Sequence, residues 1–210
     1  MSISTNRLTL MVAIIAERSS RRRDGMMEGM TRTVTAALGG RVRDLAVGLG
    51  TLPGRRGWLE SAVWALLLVV LSAPLAWAGG LIELPPAASA GIARTVLLPF
   101  LVPALLEECF FRGLLLPHPA RSGLPLEQRA RWWAVSLIAY VAVHPIAAAF
   151  VRPAAQGVFD TPAFLVEALL LGITATALYE RTGSLWPAVL LHGAVVAVWL
   201  NLGGLALLAG

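Results

Sequence analysis

The sequence predicts an all-α, multi-pass membrane protein of about five transmembrane helices behind a basic N-terminal tail. Three observations carry this reading. Of the 210 residues, 57% are hydrophobic and 14% charged, whereas a water-soluble domain carries about a quarter charged residues. The apolar residues gather into runs near the length of about 20 residues that crosses a bilayer. The arginines concentrate in the tail and in particular loops, the asymmetry expected of a chain inserted with a preferred orientation.

Residues 1–57 mix a short apolar run, Leu8 to Ala16, with arginine clusters at Arg21, Arg22 and Arg23 and at Arg55 and Arg56. The run is too short to span a bilayer, and the arginines after it, without a clear cleavage site, argue against a removed signal segment. The segment is expected to be a disordered or surface-lying tail, followed by a membrane-embedded domain over 58–210. All 17 basic residues are arginine, a skew that points to a GC-rich genome more than to a chemistry. The net charge of +5 comes without a basic stripe interleaved with stacking aromatics, so nucleic acid is not the expected partner. Anionic lipid headgroups fit the tail better. Cys109 is the single cysteine, which excludes an intrachain disulfide and a cysteine-rich metal site.

From Trp58 the composition changes. Leu59 to Trp77 reads as a first span, ended by Gly79, Gly80, Pro85 and Pro86. Ile92 to Leu116 reads as a second, interrupted by Arg94 and by Glu107, Glu108 and Arg112. A polar loop follows, in which His118 is expected to be solvated. Trp132 to Phe150 is the third span, Ala163 to Tyr179 the fourth and Leu185 to Leu200 the fifth. His144 lies inside the third and His192 inside the fifth. Trp132, Trp133 and Trp186 fall at span boundaries and are expected to anchor there. Glu167, near the far surface, is expected to be structural and satisfied by snorkelling or by a loop arginine.

Ten arginines precede residue 57, three lie in 117–131 and one in 180–184. These segments are expected on one side of the membrane. The positive-inside rule makes that side cytoplasmic and the N-terminus with it.

Charge at mid-bilayer costs about 2.5 to 3.5 kcal/mol per residue on insertion scales, so two glutamates and an arginine in one span need a reason. On a helix Glu108 and Arg112 are four apart and can pair. Glu107 points about 100° round the same helix and is left for chemistry. At 1.5 Å per residue, Glu107, His192 and His144 lie about 14, 11 and 18 Å from the cytoplasmic ends of their helices, one common layer. A buried ion-pair network that fastens helices is the structural alternative, and a lone histidine in such a helix is usually a packing residue. Two histidines at the glutamate's depth favour a site. A carboxylate there can take a proton from water, and histidines can hold the water or donate to an oxyanion. Glu107, His144 and His192 also meet the ligand count of a catalytic zinc site, although the H-E-x-x-H helix is absent. The metal-free route is preferred. Cys109, beside the glutamates, is expected to pack and not to react.

Glu107-Glu108-Cys109-Phe110-Phe111-Arg112-Gly113 resembles the EExxxR motif of the CPBP family, the CAAX proteases and bacteriocin-processing enzymes also called Abi proteins. Tyr140-Val-Ala-Val-His144 is similar to that family's second motif, an aromatic residue four before histidine. His192, within Leu-Trp-Pro-Ala-Val-Leu-Leu-His, resembles its third, and the order agrees over 95–200. The resemblance implies a membrane endopeptidase in which Glu107 activates water, with Glu108 and Arg112 as its supports. His144 would then be the second catalytic residue and His192 an oxyanion or water-positioning group. Its substrate would be a peptide or membrane protein. One departure is Val196, where the family often has an asparagine that donates to the oxyanion. Asn201, nine residues after His192, lies about 180° round a straight helix and cannot simply replace it. A bacterial plasma membrane is the expected location. A non-catalytic scaffold or bacteriocin immunity protein is the main rival, and a small transporter or proton relay a weaker one.

Overall fold

The computed structural model describes residues 4–82, 93–121, 123–204 and 207–208, with the backbone alone for 4–26 and 93. Two compact units emerge, Met1–Gly40 and Arg41–Gly210. Helix α1, Ser4–Gly50, contributes its last ten residues to the second unit. Helix here replaces the disorder that was one of the two expectations for the tail: no proline precedes Pro53, and alanine, leucine, methionine and arginine are good helix formers. Within the first unit, Glu28 and Arg32 pair one turn apart, and the hydroxyls of Thr31 and Thr33 donate to the carbonyls of Met27 and Gly29.

The second unit is a helical bundle. Helices α2 (Arg55–Ala78), α4 (Leu126–Phe150), α6 (Pro162–Thr182) and the stretch Trp186–Gly204 are long and apolar enough to cross a membrane. The last comprises α7 (Trp186–Trp199) and a π-helical turn, Leu200–Gly204. Their outward faces carry large apolar side chains, such as Leu66 and Ile138, as a lipid-facing surface requires. Helix α6 packs against α2, α4 and α7.

The expected second span is not one continuous α-helix. It is built from π-helical turns at Ala93–Leu97, Phe100–Leu105 and Cys109–Leu114 around the single α-helical turn α3, Leu106–Glu108. Val102 leaves helical geometry, with φ −137° and ψ 113°. Pro103 explains the break: it lacks an N–H and disfavours helical geometry in the residue before it. π-Helical turns concentrate at functional sites, and two of them flank the α-helical turn that carries both glutamates.

Two glycines let the helices close on this segment. A Cβ on Gly193 of α7 would lie 2.3 Å from the Phe100 ring. One on Gly172 of α6 would lie 2.9 Å from Tyr140 of α4. Small residues at such crossings are the ordinary means of close approach in membranes.

The basic segments expected on one side do meet at one end. Leu185 N–H donates to the Gly48 carbonyl at 3.0 Å, and Trp186 Nε1 to that of Leu49 at 2.8 Å. Arg129 pairs with Glu180, which also accepts from Trp133 Nε1 at 2.8 Å. Arg181 reaches Glu60 at 3.2 Å. Trp133 and Trp186 therefore give their N–H groups to protein, not to headgroups. His118 is a further correction, since it is only 3% exposed. Its Nε2–H donates to the Gly183 carbonyl at 3.0 Å and its Nδ1 accepts from Ala120 N. The Asp44 carboxylate accepts from the His118 backbone N–H and pairs with Arg121, so the start of the loop is held against α1 with His118 buried.

The opposite end is aromatic. Trp199 Nε1 donates to the Leu81 carbonyl at 2.8 Å, and Phe159, at the end of α5 (Gln156–Phe159), stacks on Phe164 with centroids 4.6 Å apart. Glu167 faces Ser72 of α2, not a loop arginine.

Candidate active site

Glu108 and Arg112 lie one turn apart on the central segment, and both are 0% exposed. Arg112 Nη1 donates to Glu108 Oε1 at 3.0 Å, and Nη2 to the Gly172 carbonyl at 2.8 Å. The guanidinium lies 4.5 Å from the centroid of the Tyr140 ring. A buried charge pair is tolerable only when further hydrogen bonds satisfy it. Here the carbonyl of a glycine in another helix and an aromatic face supply part of that satisfaction.

Glu108 Oε1 has a second partner, His192 Nδ1 of α7, at 2.9 Å. The carboxylate oxygen accepts from both sides, so Nδ1 carries its proton and Nε2 is the free ring atom. That Nε2 faces Glu107 Oε2 at 4.0 Å. Glu107 is 26% exposed where its neighbour is closed to solvent. Its Oε2 has no hydrogen-bond partner among the described residues.

His144 approaches from α4. Its Nδ1 lies 3.0 Å from the Tyr140 carbonyl. A carbonyl can only accept, so Nδ1 donates, and the neutral ring keeps its lone pair on Nε2. Three rings stand edge-on around His144: Tyr140 at 5.4 Å, Phe159 at 5.5 Å and Phe164 at 5.2 Å between centroids. Tyr140 is 1% exposed and is also edge-on to His192 at 6.0 Å. It stands beside both histidines and over the arginine.

The five residues singled out from the sequence therefore share one neighbourhood. Glu107, Glu108, Arg112 and His192 meet directly, and His144 joins them across Tyr140. His118 is elsewhere, at the polar end. Cys109 is a free thiol packed against the cluster of Ala104, Leu116, Tyr179 and Leu185. Asn201 donates to the Ala197 and Thr95 carbonyls, while Val196 is half-buried. Among the described residues, no three histidine, cysteine, aspartate or glutamate side chains converge as a metal site, and Glu107, His144 and His192 do not form one as they stand.

Sequence reasoning missed three participants. Gly172 supplies a carbonyl to Arg112, and its only signal is a glycine inside an apolar helix. Phe159 and Phe164 flank His144 from the end of α5 and the first turn of α6, and nothing in their local spacing ties them to it.

Residues 89–198, more than half of the chain, match the family described as type II CAAX prenyl endopeptidase Rce1-like. All five site residues fall inside the matched stretch. No curated protein and no solved structure matches the chain. With the EExxxR segment buried in a membrane bundle beside two histidines, the chain belongs to the Rce1-like type II CAAX prenyl endopeptidases of the CPBP family, a family of membrane proteases.

Proposed function

We propose that the protein is an intramembrane endopeptidase that hydrolyses a peptide bond in a peptide or membrane-protein substrate, using Glu107 and His144 to activate water. The observation that carries this reading is the difference in access between adjacent glutamates: Glu108 is closed to solvent and bound by Arg112 and His192 at Oε1, while Glu107 is 26% exposed beside His192 Nε2. Water hydrogen-bonded to Glu107 and to His144 Nε2 loses a proton to Glu107, and its oxygen adds to the scissile carbonyl. The C–N bond then breaks as the proton passes to the leaving nitrogen, a transfer worth about 10²- to 10⁴-fold in rate. His192, held by Glu108, presents Nε2 to the same space and, when that atom carries a proton, donates to the oxyanion. Arg112 and Glu108 position His192. Phe159 and Phe164 restrict the His144 ring.

Cleavage is proposed near the polar end of the bundle, taken as cytoplasmic by the arginine asymmetry, in a bacterial plasma membrane. The route needs no metal. If zinc is used, Glu107, His144 and His192 are its candidate ligands. Peptide termini in host membranes carrying wild type, Glu107→Gln or His144→Ala at matched levels, with and without a zinc chelator, test the proposal. Termini that vanish in both variants but survive chelation support it. Identical termini in all three would transfer support to a non-catalytic scaffold or immunity protein, the reading that Val196 favours because it cannot donate to an oxyanion.

A further inference from the structure

The first turns of α4 carry a feature outside the Glu107 site. A cleft of about 340 Å³ runs along one face, lined by Gln128, Arg131, Trp132 and Val135. The Arg41 guanidinium lies 4.6 Å from the centroid of the Trp132 ring, which brings a second arginine to its edge. The other arginines nearby are engaged: Arg121 by Asp44 and Arg129 by Glu180. Arg131 pairs with Glu127, but these two side chains are 74% and 77% exposed, and an exposed pair of this kind is readily exchanged.

The cleft sits at the polar end of the bundle, one residue from the Trp133–Glu180 hydrogen bond. Below it the same face of α4 continues with Val135, 51% exposed, and Ile138, 69% exposed. Charge above, an indole at the boundary and an apolar strip beneath follow the profile of one lipid molecule. Indoles settle at headgroup level, and a guanidinium binds a phosphate through several donors at once.

We infer that this cleft is a binding site for an anionic phospholipid. Its phosphate lies against Arg41 and Arg131, its glycerol region against Gln128 and Trp132, and an acyl chain along Val135 and Ile138. A soluble phosphate would use only the upper half. A zwitterionic lipid would bring a cation towards two arginines. The site is independent of the proteolytic reading, since none of its residues belongs to the Glu107 cluster.

The test is fluorescence quenching of the full chain reconstituted in phosphatidylcholine vesicles. Dibrominated phosphatidylglycerol or dibrominated phosphatidylcholine is added at matched mole fractions. The signal of Trp132 is the difference between wild type and Trp132→Phe. We expect brominated phosphatidylglycerol to quench that signal at a far lower mole fraction than brominated phosphatidylcholine. Arg41→Gln and Arg131→Gln should each weaken the preference about fivefold, the scale of one basic side chain at an anionic surface. Arg152→Gln, at the opposite end, should leave it unchanged. Equal quenching by both lipids would overturn the site, leaving unselective lipid contact. So would an Arg152→Gln effect as large as those of Arg41→Gln and Arg131→Gln, which would mean bulk charge and no site.

Discussion

The half of the site built from Glu108, Arg112, Gly172 and His192 is closed, with three short hydrogen bonds joining three helical elements. The half built from Glu107 and His144 is looser: a partly open carboxylate and a ring held through Nδ1 by a backbone carbonyl of its own helix. Adjacent residues of one helical turn thus serve different ends. In low dielectric an unpaired charge is severely penalised and a paired one is held rigidly, so the closed half orders the bundle. The open half keeps the solvent access that the proposed hydrolysis needs. The difference separates what substitutions should do to stability from what they should do to chemistry.

Glu107→Gln gives the sharpest separation. It keeps size and polarity but removes the base, so cleavage should fall by about 10²- to 10⁴-fold while resistance to unfolding in detergent stays at the wild-type level. A variant that unfolds early would merge the two halves and break the comparison. Arg112→Met should do the opposite. It strands the Glu108 carboxylate and the Gly172 carbonyl, and removing one partner of a buried pair costs about 3 to 5 kcal/mol. A denaturant titration should show the loss, and activity per folded molecule should fall as well, since Arg112 helps to hold the Glu108 that positions His192. Gly172→Ala is a milder version of the same failure. Its Cβ would press on Tyr140 at 2.9 Å and on Leu137 at 3.1 Å, an overpacking expected to cost about 1 to 3 kcal/mol and readable as a lowered Tm. Phe159→Ala should have the smallest effect and should sharpen the comparison from the open side. Ring pairs are worth about 0.5 to 1.5 kcal/mol each, so kcat should fall up to about tenfold as His144 gains freedom, with Phe159→Tyr restoring most of it.

Much of this architecture is legible along the chain because bilayer crossing is governed by local quantities. Length and hydropathy placed α2, α4, α6 and α7, and arginine counting grouped the segments that meet at the polar end. The Glu108–Arg112 pair follows from helical spacing alone. The central segment is where local reading fell short. Pro103 breaks helical geometry at Val102, and π-helical turns flank the glutamates, so depths reckoned along a straight helix do not describe this segment. His118 was misjudged because a histidine between two prolines looks like a loop tip. Its burial depends on Asp44, Tyr179 and Gly183, which are 74, 61 and 65 residues away. The N-terminal helix is not legible because a basic, weakly patterned segment with several glycines gives no core signal.

By itself the sequence determined the membrane class, the order of the spans and the identity of the five polar residues that a bilayer would not hold without purpose. These follow from transfer free energies and helical periodicity, which act over neighbouring residues. Only the tertiary structure decided that His192 binds the same glutamate as Arg112, which nitrogen of each histidine is engaged, and that a glycine carbonyl on α6 is among the arginine's partners. Those outcomes depend on where other helices cross the central segment, and crossings are set by the packing of residues far apart in the chain.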